Sequence, residues 1–369
     1  MKSNYKVLGD YIREVNIRNT ELKDLDLLGI SIQKEFIPSI ANTIGTDMSK
    51  YKIVKKNQFA YGTVTSRNGD KISIALLQNY NEALISQAYI SFEVSDEDKL
   101  LPEYLMMWFR RPEFDRYARY MSYGSAREVF SWEEMCNVKL PIPSIEKQRE
   151  IVKEYNTILN RITLNNKLMK KLEDMGVEIY NKLFSDSDNS LNGNNIKLKD
   201  IAIITMGQSP EGSSYNNNCL GEIFYQGRTD FGFRFPNVTT YTTKPKKMSS
   251  EGDILISVRA PVGDLNIATD KCCIGRGIAS IKSIKGYNSY IFYYLKSLKD
   301  NFSISNEEGT IFGSIKRTDL EELEVNYCEE KIIEFERIIR AIDEKIKICS
   351  RQNKLLLSIK DLLYAKMID

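Results

Sequence analysis

Hydrophobic positions along the chain follow two rhythms. Short apolar runs such as Lys6-Val7-Leu8-Gly9-Asp10-Tyr11-Ile12 and Asn57-Gln58-Phe59-Ala60-Tyr61 are strand-like. From Pro102 the spacing becomes i, i+3, i+4 and sets Leu105, Trp108 and Phe109 on one face of a helix. A longer 3-4 alternation runs through Tyr155, Ile158, Ile162, Asn165, Met169, Leu172, Gly176, Ile179 and Leu183. Another starts at Ile332 and continues through Phe335, Ile339, Ile342, Ile346, Cys349, Asn353, Leu356, Lys360, Leu363 and Met367. These seams predict two helices, over residues 145–184 and 329–368, each roughly 60 Å long at the α-helical rise.

The same elements occur twice. Ile196-Lys197-Leu198-Lys199-Asp200-Ile201-Ala202 echoes the opening segment, and Gly252-Asp253-Ile254-Leu255-Ile256 echoes Asn57 to Tyr61. Ser289-Tyr290-Ile291 begins a counterpart to the helix at Pro102, with Ile291, Tyr294 and Leu295 on its core face. Gly124-Ser125 precedes Phe130, Met135, Val138 and Leu140, and Gly309-Thr310 precedes Ile315, Leu320, Leu323 and Val325 at the same offsets. A domain has been duplicated. A narrow apolar stripe cannot be buried by one helix alone, so the two long helices are expected to pair. The chain must leave the first, build the second copy and return, which makes the pair antiparallel, with Asn165 and Asn353 fixing its register. The polar, turn-rich stretch 185–195 reads as the linker between halves.

The expected architecture is therefore α+β. Two similar globular domains (1–144 and 196–328) are joined by helical spacers (145–184 and 329–369) that pair as an antiparallel coiled coil with pseudo-two-fold symmetry. Such seams are usually plain structure. What plain structure leaves unexplained is why two similar domains are held on such a strut, and function is expected in that separation.

Composition narrows the chemistry. The 369 residues contain 42% hydrophobic and 28% charged residues, the balance of a globular protein of two or three domains. No apolar run is long enough to cross a bilayer and the start lacks an apolar signal stretch, so a cytoplasmic location and no membrane partner are expected. Histidine is absent, which removes His-based zinc sites and Ser-His-Asp or Cys-His nucleophile systems. The six cysteines form no C-x-x-C pair, and neither a disulfide nor a metal is expected. A nucleotide-binding glycine loop is also missing. The chain reads as a binder.

Lysine and arginine total 52 against 50 acidic residues, a net charge of +2 with every region near balance. That is not the charge of an autonomous non-specific DNA binder, so local clusters, aided by a partner protein, have to supply any phosphate contact. Two clusters alternate arginine with aromatic residues: Trp108 to Tyr120, whose arginines read as the solvated side of a core helix, and the Gly-interrupted segment Tyr225 to Phe235. Loops at the sheet edges offer better candidates, because base readout needs paired donors and acceptors projecting from a rigid base. In the first copy these are Gln33, Lys34, Ser66, Arg67, Asn68, Ser125 and Arg127. In the second they are Gln226, Arg228, Arg259, Arg276, Thr310, Lys316 and Arg317.

Several motifs resemble one family. Gly207-Gln208-Ser209-Pro210, Phe224-Tyr225-Gln226-Gly227, the run Gly252 to Asp264 and Cys273-Ile274-Gly275-Arg276-Gly277 closely resemble the second target-recognition domain of Type I restriction-modification specificity subunits. Residues 1–144 look like a more divergent copy, with Asn57-Gln58-Phe59 where Gly252-Asp253-Ile254 stands. Pro141-Ile142-Pro143 followed by Glu146-Lys147-Gln148 resembles the family's junction into its central helix, whereas Asn326-Tyr327-Cys328 replaces that proline-rich stop in the second half.

The resemblance implies a non-catalytic subunit that selects double-stranded DNA for a methyltransferase and restriction complex. Each recognition domain would read half of a split, asymmetric target while the paired helices set the gap and dock two modification subunits, with restriction/translocase subunits as further partners. No cofactor is expected in this chain; S-adenosylmethionine, ATP and Mg would belong to the partner subunits. Independently, two similar folds on a stiff spacer suit a gapped site, since unlike loops can read different bases. Two other readings compete: a coiled-coil scaffold with protein-binding end domains, and a DNA-acting enzyme using Asp253 and Asp264, although both aspartates fall in strand-edge turns where Asp has a backbone role.

Overall fold

The computed structural model describes residues 5–41, 45–66, 69–122, 128–184, 194–298 and 314–367. The chain forms two compact units, Met1–Ile162 with Lys354–Asp369, and Thr163–Asn353. Among the described residues no helix is long and apolar enough to cross a membrane.

The first unit runs through β1 (Tyr5–Val7), β2 (Ile12–Val15), β3 (Ile17–Arg18), β4 (Leu27–Ile30), β5 (Phe36–Pro38), β6 (Lys52–Lys55), β7 (Phe59–Gly62), β8 (Ile74–Leu76), β9 (Glu82–Ile85) and β10 (Tyr89–Val94). It continues with α1 (Pro102–Phe109), α2 (Pro112–Ser122), α3 (Trp132–Cys136) and β11 (Lys139–Pro141), and then enters α4 (Ile145–Phe184). One sheet has the order β2-β10-β7-β8, a second β3-β6-β9-β4-β5, and β1 pairs with β11. Proline at its first position starts α1, where a missing N–H costs nothing. The expectation of a one-sided stripe there is corrected: Tyr104, Met106 and Met107 are buried along with Leu105, Trp108 and Phe109. Sheet residues Phe59 and Phe92 and helix residues Phe109 and Phe114 share its core.

The second unit follows as β12 (Asn194–Lys197), α5 (Leu198–Ile201), β13 (Ala202–Met206), β14 (Tyr215–Asn216), β15 (Glu222–Tyr225), β16 (Tyr241–Thr242), β17 (Met248–Ser249), β18 (Ile254–Ser257), β19 (Leu265–Ile267), β20 (Cys272–Ile274) and β21 (Ile278–Ser283). Then come α6 (Asn288–Ser297), α7 (Arg317–Glu321), β22 (Glu324–Tyr327) and α8 (Glu329–Lys366). Its sheets, β13-β21-β18-β19 and β14-β16-β15-β20-β17, and its pair β12-β22 repeat the first unit's order, apart from β3 at one edge and β14 at the other. The duplication seen in the sequence is thus a duplication of topology. The opening echoes are not single strands, however: each is a strand, a helical turn starting at a buried leucine (Leu8, Leu198) and a second strand. Strand β12 begins at Asn194, inside the stretch assigned to the linker, and residues 185–193 lie outside the described residues.

The duplicated corner before β7 and β18 shows how different residues meet one constraint. Asn57 (φ 66°) and Gly252 (φ 85°) both occupy the left-handed region, which glycine enters freely and asparagine tolerates. The Asn57 N–H donates to Leu77 O (2.8 Å) and the Gly252 N–H to Ala268 O (2.9 Å). The next side chain then accepts from the backbone: Gln58 Oε1 from Lys55 N at 2.7 Å, Asp253 Oδ2 from Ser250 N at 2.7 Å. Asp253 is 5% exposed and also accepts from the hydroxyls of Ser249 and Ser280. Its carboxylate holds a turn.

Helix α4 has the predicted limits, and α8 ends at Lys366. Within the first unit the start of α4 lies against the end of α8. Tyr155 and Tyr364 hydroxyls meet at 3.3 Å, Lys366 donates to Glu154 at 3.0 Å, and Ile158 and Leu363 share one cluster with Ile162 and Leu356 at its margin. Within the second unit Lys331 reaches the Leu183 carbonyl at 3.2 Å, and Met169, Ile346 and Cys349 pack together with Leu172 and Ile342 alongside. In each unit rising numbers on α4 meet falling numbers on α8. The α8 stripe is as predicted, with Ile332, Phe335, Ile339, Ile346 and Asn353 buried. After Met169 the α4 stripe keeps Gly176 buried as predicted but moves by one residue elsewhere: Glu173, Tyr180 and Phe184 are buried, while Leu172, Ile179 and Leu183 are only partly covered. Aromatic rings at 180 and 184 pack on Tyr290 and Phe335, and their bulk decides the phase.

Two polar contacts lie in this apolar setting. Asn165 Nδ2 donates to Asn353 Oδ1 (2.9 Å) and Asn353 Nδ2 donates to Asn166 Oδ1 (2.8 Å). Arg234, 1% exposed, donates to Glu173 (3.0 Å) on α4 and Asp343 (2.6 Å) on α8, with its guanidinium 3.7 Å from the Phe292 ring centre. Nearby, the Glu336 carboxylate accepts from Tyr290 N at 2.8 Å, and burial pushes its pKa up to about 7 against that hydrogen bond.

Arg234→Met is expected to lower unfolding stability by about 3–5 kcal/mol, because it takes the guanidinium from Asp343 and leaves the buried Glu173 with Lys296 alone; a denaturant midpoint within error of the parent would refute this. Asn165→Leu alone should cost about 1–3 kcal/mol because it leaves the buried Asn353 Oδ1 without a donor, while Asn165→Leu with Asn353→Leu should recover much of it, since replacing both partners removes that unmet acceptor. A double-mutant cycle with no coupling would show that the pair contributes nothing. Glu336 is raised, so the folded chain keeps a proton that the unfolded chain releases. Stability should therefore fall as pH climbs from the ordinary carboxyl range through about 7. Glu336→Gln should flatten that slope in melts across pH, and an unaltered slope would assign it to another group.

Candidate nucleic-acid interface

In the second unit four loops are drawn together by backbone geometry. Strands β15 and β20 run parallel, with Tyr225 opposite Ile274, so the segments that follow them emerge at the same end of the sheet. The Gly275 N–H donates to Tyr225 O (2.8 Å), and a Cβ on Gly277 would stand 2.8 Å from Gln226 O. Gly207 is pressed on the same place: its Cβ would lie 2.2 Å from Gly275 O, closer than any side chain can come. The Gln208 N–H donates to Ile274 O (2.9 Å) and the Arg276 N–H to Ser209 Oγ (3.3 Å). After β18, the Val258 N–H donates to Gly277 O (3.0 Å). The motif glycines are therefore where backbones touch, and the residues between them face outward.

The loop after β15 is pinned along its length. Asp230 accepts from Gln226 N (2.6 Å) and Gly227 N (3.3 Å), buried Asn266 exchanges two hydrogen bonds of 3.1 Å with the Gly232 backbone, and Ile267 N donates to Arg234 O at 2.9 Å. After β18, Ser257 Oγ donates to Pro261 O (2.9 Å) and accepts from Asp264 N (2.9 Å), next to a cis Ala260-Pro261 peptide. Across the gap Arg228 Nε donates to Asp264 Oδ2 at 2.6 Å. A cleft of about 180 Å³ lies beside this pair, bordered by Phe231, Phe233 and Lys296.

Of the expected second-copy residues, Gln226, Arg228, Arg259 and Arg276 are exposed on this stitched surface. Lys316 and Arg317 are exposed as well; Ile315 before them donates to Val258 O at 2.8 Å, and Ser314 forms an antiparallel bridge with Arg259. Arg317 pairs with Glu321 in its own helix at 2.7 Å. Thr310 lies outside the described residues. Gln208 and Ser209 belong to the same surface although sequence reasoning assigned them no contact; their place between Gly207 and Pro210 was the available signal. Arg234 and Phe235, counted in the Tyr225 to Phe235 cluster, turn inward instead.

The first unit is less uniform. Gln33 is exposed in the turn between β4 and β5, where Lys34 N donates to Ser31 O at 3.0 Å. Lys34 itself is 5% exposed, with its ammonium 2.8 Å from Asp115 and also bonded to the Phe109 carbonyl. Burial lowers its pKa from the usual lysine range while Asp115 opposes the shift. It is a tie between the turn and α2, not a surface donor. Ser66 is exposed beside Thr65, whose N–H donates to Glu128 O at 3.0 Å; Arg67, Asn68, Ser125 and Arg127 lie outside the described residues. In the Trp108 to Tyr120 cluster Arg111 is buried over the Trp108 ring at 4.4 Å, Arg110 donates to Tyr155 at 3.1 Å and Arg119 is held by Asp70. Those arginines are engaged in holding the unit together. Among the described residues no group of three or more acidic or cysteine side chains could hold a metal ion.

Comparison with known proteins identifies the family. A family model described as the Type I restriction modification DNA specificity domain matches twice, over residues 16–174 and 192–353. The putative type I restriction enzyme MjaX specificity subunit of Methanocaldococcus jannaschii is 33% identical over 303 residues, covering 76% of this chain and 70% of the relative. The Type I restriction-modification system S subunit from M. genitalium has a similar fold, with a TM-score of 0.58 at 14% identity over 98% of this chain and 95% of that one. The HsdS subunit from Thermoanaerobacter tengcongensis aligns over 99% of this chain and 96% of its own, with a TM-score of 0.39 at 21% identity. With both copies matched and the motif glycines at the contacts between loops, the chain belongs to the Type I restriction-modification DNA specificity family.

Proposed function

We propose that the chain is the non-catalytic DNA-reading subunit of a Type I restriction-modification enzyme, each unit reading one half of a gapped, asymmetric target. The observation that carries this reading is one sheet topology built twice with unlike loops at its edge. In the second copy Gln226, Arg228, Arg259 and Arg276 are exposed on a stitched backbone, and in the first copy Gln33 and Ser66 are exposed. Base readout needs such side chains on a rigid base, and different loops on equal scaffolds give different half-sites. Near-neutral charge fits a subunit whose attraction to phosphate is shared with partners. Those partners are two modification subunits docked on α4 and α8, and restriction/translocase subunits; S-adenosylmethionine, ATP and Mg belong to them.

In the same reading α4 and α8 set the unread gap. Their continuity over 40 and 38 residues supports it, as do the antiparallel contacts within each unit. Mapping methylated positions in host DNA with and without this chain tests the function: a gapped motif should vanish with it, and an unchanged map would end the proposal. A seven-residue insertion at matched levels of both helices preserves the seam and adds roughly 10 Å. It should widen the gap by about three base pairs, at about 3.4 Å each, while leaving both half-sequences unchanged. Altered bases with an unaltered gap would remove the helices from that role.

A further inference from the structure

One candidate side chain of the second unit differs from its neighbours in how it is held. Arg228 is 52% exposed, yet its Nε is bonded to Asp264 Oδ2 at 2.6 Å, a contact spanning 36 positions in sequence. Both ends are fixed. Asp264, 20% exposed, is held by two bonds to Ser257: its N–H donates to Ser257 Oγ (2.9 Å), and the Ser257 N–H donates to its carbonyl (2.9 Å). Ser257 is fully buried at the end of β18. Arg228 sits in the helical turn whose start is clamped by Asp230. Arg317, by contrast, is paired among the described residues within its own short helix, one turn away.

A guanidinium bonded sideways through Nε keeps its two terminal nitrogens, which lie in one plane and point the same way. Among the described residues neither terminal nitrogen of Arg228 has a bonded partner. That end-on fork matches the O6 and N7 acceptors of guanine in the major groove. The carboxylate behind it freezes the fork and so removes the rotamer entropy that a free arginine would lose on binding. A loose phosphate contact needs no such buttress, and an acidic group at the spot weakens attraction to phosphate.

Resting on the recognition role proposed above, we infer that Arg228 reads a guanine in the half-site of the second unit, with Asp264 as its positioning residue. The test uses the full chain assembled with its methyltransferase subunits and a methylation map over randomised targets. Arg228→Ala and Arg228→Lys are each expected to relax one G·C position in one half of the motif, by roughly 5- to 150-fold in discrimination, with the other half unchanged. Asp264→Asn should relax the same position partially. A purely structural ion pair would change melting temperature and leave base preference intact at every position. A phosphate contact would lower methylation equally on all sequences. Either result overturns the inference. If Arg228→Ala fails to assemble, Arg228→Lys keeps the charge and decides the matter alone. The wider reading is judged separately, by Gln226→Ala, Arg259→Ala and Arg276→Ala together. A half-site altered by these three but insensitive to Arg228 defeats only this inference, whereas a motif indifferent to all four defeats recognition by these loops.

Discussion

A guanidinium sealed from water survives only where carboxylates and hydrogen bonds replace its lost hydration, because the cost of burying an unpaired charge exceeds the stability of an ordinary domain. Arg234 meets that condition with Glu173 and Asp343, while Phe292 and Tyr293 cover its plane. One residue at the end of the loop after β15 thereby joins α4, α6 and α8. Upstream, the same loop is fixed by hydrogen bonds to Asp230 and Asn266. Glu173 also takes a bond from Lys296 at 2.6 Å, so the buried charges form a network and not an isolated pair. Such a network is weak as a source of stability and strong as a specifier of one arrangement.

The first unit solves the same problem with different chemistry. There a turn lysine, Lys34, goes inward to Asp115 on α2, and the Asp115 carboxylate also accepts from Ile72 N at 3.1 Å. In both units a loop beside the candidate interface is anchored by a buried cation, and the exposed donors are the residues between anchors. Duplication has kept the strand order, the left-handed corner and the bridge that links the β7 and β18 ends to the later segment (Val64 to Val129, Arg259 to Ser314). The loop chemistry has diverged on top of these. The two copies fold alike and present different side chains.

Much of this was legible before any coordinates. The 3-4 alternation gave both long helices, and matched offsets from Gly124 and Gly309 paired Phe130 with Ile315 and Leu140 with Val325 as equivalents in the two copies; all four are buried. Asn165 and Asn353, polar residues in an apolar stripe, were expected to meet and do so at 2.9 Å. The site was less legible. Exposure of an arginine depends on whether a carboxylate far along the chain waits for it, and composition cannot tell Arg228, held outward by Asp264, from Arg234, drawn inward by Glu173 and Asp343.

The sequence by itself determined the duplication and the length of the two long helices, because these follow from local periodicity and from offsets repeated along one chain. Tertiary structure alone decided the phase of α4 beyond Met169 and which cations face outward. Tyr180 and Phe184 take the buried face because Tyr290 and Phe335 offer rings to pack against, and Lys34 leaves the surface because Asp115 and the Phe109 carbonyl replace its water. Both outcomes depend on partners brought close by folding, and no pattern of neighbours in sequence encodes that proximity.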